Sequence, residues 1–204
     1  MKSLVYLVDD DAAIRDALAW LLRSRGIQSS AWSSAEAFLK DYRPEMSGCL
    51  VLDIRMTGMT GIELHEQLLA RGCAMPVIFL TGHGDVPLAV KALKRGAFDF
   101  IEKPGNDNEL VDRVVAALQL VESRRWQDGE RTAVEERLAT LTERERAVMA
   151  GILAGKLNKV IADDLQIAMR TVEVHRARIF EKMGVRSAVE LAQRLAAHSS
   201  TGSR

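Results

Sequence analysis

Five polar residues stand where short apolar runs give out. Asp9 and Asp10 follow LVYLV, Asp53 closes CLVLD, Thr81 closes VIFLT, and Lys103 comes just after FDFIE. Asp9, Asp10 and Asp11 form a run with nothing basic beside it. Packed like charges disfavour one another's ionisation, so such a run needs compensation. If the strand ends converge, Asp9, Asp10 and Asp53 offer three hard carboxylates, and hard oxygen ligands with room for water suit Mg²⁺. The backbone carbonyl of Arg55, two residues past Asp53, completes a candidate ligand set. A carboxylate whose charge is partly neutralised can attack phosphorus, as in aspartyl-phosphate enzymes. Lys103 and the Thr81 hydroxyl would then hold the transferred oxygens.

The elements that would position these residues are legible as an alternation. Apolar runs at 4–8, 49–54, 76–80 and 98–101 read as strands, with a weaker one, IQSSAW, at 27–32. Helical patterns separate them: Ile14, Leu18, Leu21 and Leu22; Ala35, Phe38 and Leu39; Ile62, Leu64, Leu68 and Leu69; Val86, Val90 and Leu93. The strands lack period-two alternation, which predicts burial on both faces of a parallel sheet. Five such repeats predict a doubly wound α/β domain of flavodoxin-like type. In those sheets ligands bind beyond the carboxyl ends of the strands, where all five polar residues fall. Asp11 reads as the cap of the first helix.

A fifth helix starts near Asn108 and carries Leu110, Val111, Val114, Val115, Leu118 and Val121 on one face. The pattern then decays into ESRRWQDGERTAVEER, so 122–137 reads as a linker, partly helical, between modules at 1–121 and 138–198, with a flexible tail at 199–204. Charge supports the division. Residues 1–121 hold 13 Lys/Arg against 16 Asp/Glu, and residues 122–204 hold 15 against 12, hinting at an anionic partner for the second module. The two cysteines, Cys49 and Cys73, have no metal-ligand spacing and read as small buried hydrophobes in a reducing compartment. No signal peptide or membrane span is visible, so a soluble cytoplasmic protein is expected.

The second module reads as four short helices. Thr142 and Glu145 form a capping box that opens the first, which stops at Gly155. Asn158 is the expected cap of the second, NKVIADDL. Gln166 to Met169 turn the chain into a third, from about Arg170 to Met183, and Ser187 with Glu190 caps the last. Two short helices joined by a tight turn, the second of them basic, form a helix-turn-helix pattern. At 100° per residue Val172, Ile179 and Met183, flanked by Phe180, face the core. Arg170, Val174 and Ala177 lie opposite, with Glu173 and Arg178 on the flanks. The early part of that face is expected to enter the DNA major groove. There Val174 suits a thymine methyl, Glu173 cytosine N4, and Arg178 guanine or phosphate. Lys159, Thr171, His175 and Arg176 are better suited to phosphate.

An enzymatic alternative also fits the opening residues. LVYLVDDDA matches the first motif of haloacid dehalogenase-type phosphatases, with Asp9 as nucleophile, Asp11 as acid, and Thr81 and Lys103 as further motifs. That scheme lacks a later acidic pair and leaves Asp53 idle.

Residues 1–121 resemble the receiver domain of two-component response regulators, and 138–198 the LuxR-type DNA-binding domain of the NarL/FixJ family. The stretches LDIRMTGMTGIEL, LTERE, NKVIADDL and RTVEVHR carry the likeness, and LTGHGDVPLAVKALKRGAFDFIEKP is close to the FixJ branch. The resemblance implies that Asp53 is the phosphoacceptor, that Asp9 and Asp10 hold Mg²⁺, and that Lys103 contacts the phosphoryl group. It further implies that Thr81 and Phe100 form a switch pair. A sensor histidine kinase would donate the phosphoryl group. The phosphorylated protein would dimerise on promoter DNA and act there on RNA polymerase, with no turnover substrate. A receiver that no longer needs phosphate is the remaining alternative.

Three residues depart from the family pattern. Thr57 replaces a usual proline, in a loop expected to tolerate it. Gly105 replaces an apolar residue after Lys103-Pro104, removing an anchor of the fifth helix. Ala168 replaces a capping Ser or Thr before the recognition helix, a loss of about 1 kcal/mol.

Overall fold

The protein is described from a computed structural model covering residues 4–82, 86–103 and 106–200. Gly105 lies outside these residues. The chain divides into two compact units, Met1–Arg125 and Trp126–Arg204.

The first unit is a five-stranded parallel sheet of β1 (Leu4–Val8), β2 (Ser29–Trp32), β3 (Gly48–Asp53), β4 (Val77–Thr81) and β5 (Asp99–Glu102), in the order β2-β1-β3-β4-β5. This is the flavodoxin-like order, whose switch point lies between β1 and β3. Helices α1 (Ala12–Ser24), α2 (Ala35–Asp41), α3 (Gly61–Ala70), α4 (Val86–Lys94) and α5 (Asp107–Ala139) connect and extend it.

The missing alternation has its cause in two cores. Val5, Leu7, Cys49, Val51 and Ile78 face Leu21, Leu22, Val111 and Val114 of α1 and α5. Tyr6, Val8, Leu50, Leu52 and Phe79 face Phe38, Leu64, Leu68 and Ala92 of α2, α3 and α4. Alternate residues of one strand thus meet different helices, and each must be apolar. Asp11 caps α1 as expected, its Oδ1 accepting from the Ala13 amide at 2.8 Å. Cys49 is buried, and Cys73 is half-buried and likewise free.

The second unit packs the end of α5 with α6 (Glu143–Leu153), α7 (Asn158–Leu165), α8 (Met169–Met183) and α9 (Ala188–Ser200) around Val148, Ile152, Ile161, Val172, Ile179 and Met183. The Thr142–Glu145 capping box is complete. Ser187 accepts from the Glu190 amide, while the Glu190 carboxylate reaches the amide of Arg186 at 2.5 Å.

Two details differ from expectation. Asn158 is the first residue of α7 rather than its cap; Leu157 holds the cap position and makes no side-chain cap bond. The stretch 122–137 is helical throughout, because exposed Gly129 costs only about 1 kcal/mol in a helix. The Arg131–Glu135 pair at i,i+4 (3.0 Å) supports the same turn.

Candidate functional site

The strand ends do converge. Asp9, one residue beyond β1, is 2 % exposed and Asp53, the last residue of β3, is 8 % exposed. The Lys103 ammonium lies between them, donating to Asp9 Oδ2 at 2.7 Å and to Asp53 Oδ1 at 2.8 Å. Asp10 is exposed, and one carboxylate oxygen from each of the three aspartates falls within 4.8 Å of the others.

Electrostatics explain why the cation is there. Burial pushes the Asp53 carboxyl above its usual value, and the neighbouring Asp9 and Asp10 charges push the same way against Lys103. Burial alone would lower the Lys103 ammonium, but its hydrogen bonds to Asp53 and Asp9 outweigh that and raise it. Asp10 is held low, first by the Thr57 amide and then by the Thr57 hydroxyl. The site is an acidic pocket of three carboxylates that can hold a metal, and its all-oxygen chemistry fits a hard divalent cation.

Thr81 ends β4 fully buried, and its Oγ1 has no hydrogen-bond partner among the described residues. Phe79, two residues earlier, pairs in register with Phe100 of β5. Thr81 and Phe100 therefore project from the same face of the sheet on adjacent strands. The Lys103 amide donates to the Thr81 carbonyl at 2.6 Å, tying the two strand ends together.

Two residues matter that sequence reasoning had not assigned to the site. Thr57, read only as a tolerated replacement, donates from both its amide (2.8 Å) and its hydroxyl (2.9 Å) to Asp10 Oδ2. Gly61, at the start of α3, lies so close to β3 that a Cβ there would sit 2.1 Å from the Asp53 carbonyl oxygen. The only sequence signal for Thr57 was its place in the connection that also carries Arg55.

In the second unit α7 and α8 are separated by Gln166, Ile167 and Ala168. Gln166 adopts a left-handed conformation (φ 50°) that ends α7, and the Ile167 amide returns to Ala162 O at 3.0 Å. Ala168 is the α8 cap and makes no side-chain cap bond. Val172, Ile179 and Met183 are buried. Arg170, Thr171, Glu173, Val174, Ala177 and Arg178 are exposed, as is Lys159 on α7. His175 and Arg176 are half-buried: the His175 Nδ1 is buried with no hydrogen-bond partner among the described residues, and the Arg176 guanidinium lies over the Phe180 ring at 5.4 Å.

Residues 5–115 match the response regulator receiver domain, and residues 139–195 match the bacterial regulatory proteins of the luxR family. The chain belongs to the response regulators. It is 50% identical over 195 residues to the C4-dicarboxylate transport transcriptional regulatory protein DctR of Rhodobacter capsulatus, covering 95% of this chain and 99% of that one. It is 47% identical over 187 residues to the transcriptional regulatory protein FixJ of Azorhizobium caulinodans, covering 92% and 89%. Its fold matches the response regulator StyR with a TM-score of 0.86 at 43% identity, covering 96% of this chain and 99% of that one. Full-length FixJ from B. japonicum matches with a TM-score of 0.61 at 41% identity, covering 98% of both chains.

This response regulator is thus a two-component transcription regulator rather than an enzyme, built from a receiver domain and a LuxR-type DNA-binding domain. The receiver implies a histidine kinase partner, and the second domain implies DNA binding. Asp11, the acid that a dehalogenase-type phosphatase scheme requires, is here an exposed helix cap. Among the described residues no helix is long and apolar enough to cross a membrane.

Proposed function

We propose that this response regulator is switched by phosphorylation of Asp53 and binds promoter DNA as a dimer. The observation that carries the reading is the Lys103 ammonium, 2.7 Å from Asp9 and 2.8 Å from Asp53, a fixed cation beside the candidate acceptor. An Asp53 carboxylate oxygen forms a bond to phosphorus as the phosphorus–nitrogen bond to the kinase histidine breaks, and the imidazole leaves. Asp9, Asp10, Asp53 and the Arg55 carbonyl would hold Mg²⁺, which supplies charge neutralisation when bound. Lys103 then pairs with the phosphoryl oxygens, which bring about −2 charge and strong acceptors.

The orphaned Thr81 hydroxyl supports a role as donor to that group, since an unpaired buried hydroxyl costs roughly 1–3 kcal/mol until it finds a partner. Movement of Thr81 toward the phosphoryl group opens space on the shared face for Phe100 to turn inward. The surface of α4, β5 and α5 repacks and favours a dimer, placing two copies of α8 on two half-sites. We assign the receiver to 1–121, a linker to 122–137 and the DNA-binding domain to 138–198; the tail expected at 199–204 starts later, since α9 runs to Ser200, and 201–204 lie outside the described residues. The protein is cytoplasmic in this reading and acts at the promoter on RNA polymerase. On the face of Arg170, Val174 and Ala177, Val174 and the flanking Glu173 read bases and the flanking Arg178 reaches guanine or phosphate, while Lys159, Thr171, His175 and Arg176 meet phosphates.

The test is incubation with acetyl phosphate with and without Mg²⁺. Intact mass should rise by one phosphoryl group only with Mg²⁺, and Asp53→Asn should abolish the rise. Loss of the rise in Asp9→Asn but not in Asp53→Asn would overturn the assignment of the acceptor.

A further inference from the structure

Lys103 divides the three aspartates unequally. It bonds Asp9 and Asp53, and Asp10 is met instead by Thr57, whose amide and hydroxyl both donate to Asp10 Oδ2 at 2.8 and 2.9 Å. The two residues lie 47 positions apart in the chain. Thr57 works from a fixed platform. The connection that carries it, residues 54–60, is anchored at one end by Ile54 N to Leu80 O (3.0 Å) and Gly61 N to Ile54 O (3.1 Å). On its outer side the Met59 amide donates to Glu36 Oε1 of α2 at 2.8 Å, and at its far end Thr60 and Glu63 close a capping box.

We propose that Thr57 is a positioning residue that sets the divalent-cation affinity of the acidic site by holding Asp10. The proposal rests on the reading of Asp9, Asp10 and Asp53 as a cation site. Asp10 is exposed and carries the same charge as its two neighbours, so an unrestrained side chain would swing toward solvent. Two donors on one oxygen restrain the carboxylate beside its two neighbours. The ordering that a ligand normally undergoes on binding is then complete beforehand. Outer hydrogen-bond partners of this kind orient metal ligands and sustain affinity. The hydroxyl and the amide contribute separately: valine at 57 keeps the shape and loses the hydroxyl, and proline loses both donors.

The test is a titration of full-length protein with MgCl₂, followed by amide chemical shifts at residues 8–11 and 53–57. Amides of residues 110–121 of α5, in the same unit as Thr57, serve as the folding control. Thr57→Ser, which keeps both donors, should bind within about twofold of the parent. Thr57→Val should bind roughly 10-fold more weakly, the lower end of the loss seen when an outer partner is removed, and Thr57→Pro at least as weakly. A Thr57→Val protein that binds Mg²⁺ as tightly as the parent, while Asp10→Asn loses affinity, would overturn the role of Thr57 and leave the cation site standing. A parent protein without saturable shifts would overturn the cation site and the proposal together. Equal weakening in Thr57→Ser and Thr57→Val would also overturn it, since the donors would then not be what matters.

Discussion

Lys182 donates to the buried Glu145 Oε2 at 2.7 Å, joining the last turn of α8 to the first turn of α6. The same carboxylate accepts from the Thr142 amide at 2.9 Å and so also closes the capping box. The Lys182 hydrogen bond, then the Thr142 amide, bring the Glu145 carboxyl from 4.5 down to about 2. A carboxyl depressed in the folded state stabilises the fold above its unfolded value and loses that contribution as pH falls through the folded one. The stability difference between the parent and Glu145→Gln should therefore be full above pH 5 and shrink between about 4.5 and about 2. Hydrogen exchange of α6 and α8 amides in the two proteins measures it. A pH-independent difference would show that the ion pair contributes nothing.

At the acidic pocket the sign reverses. Burial and the Asp9 and Asp10 charges raise the Asp53 carboxyl, so at neutral pH its ionised form opposes folding. In EDTA, Asp53→Asn should raise the urea midpoint of the receiver, since it removes the buried charge. Added Mg²⁺ should narrow the gap by stabilising the parent. A less stable Asp53→Asn protein would mean that the Lys103 pairing outweighs the repulsion.

How far these sites could be read in advance depended on the range of the interaction. Strands buried on both faces, such as CLVLD and VIFLT, are visible as unbroken apolar runs. Even the weaker IQSSAW contains β2, because its neighbours fix where an edge strand must fall. The five polar strand ends could be listed from sequence because the parallel topology sends all carboxyl ends to one edge. The Thr57–Asp10 bond could not, since it joins residues 47 apart whose side chains give no periodic signal. The cap of α7 departs from the sequence expectation for a local reason. Asn158 has the right chemistry, but the helix starts one residue earlier than a cap at that position allows.

On α7 and α8, the proposed phosphate contact and the proposed base reader can be told apart by experiment. Glu173 makes no ion pair among the described residues, and Arg176, one turn on, is engaged with Phe180. A carboxylate unpaired within its own helix is tolerable beside phosphates when a base donates to it. Glu173→Ala should relax specificity at one base position by ~1–3 kcal/mol and leave the salt dependence unchanged. Lys159→Ala should weaken all sequences alike and lower the salt slope by about one counterion. Binding-site selection on both variants decides, and an even loss at every position for Glu173→Ala removes it from the base readers.

Beryllofluoride in place of the phosphoryl group should convert the protein from monomer or weak dimer to dimer. Light scattering at matched concentrations reads the mass directly. An unchanged monomer would refute the switch through Thr81 and Phe100, and a constant dimer would favour a receiver that does not need phosphate.

The absent side chain of Gly61 has a consequence for mutational screens. Its Cβ position lies 2.1 Å from the Asp53 carbonyl oxygen, so every substitution must displace the peptide that carries Asp53. A saturation library scored on promoter output would rank position 61 beside Asp53 itself. A residue without a functional group would pass for part of the chemistry. Scoring the same library for folded protein as well would separate the two, because the alanine at 61 misplaces an intact carboxylate whereas the asparagine at 53 correctly places an inert one.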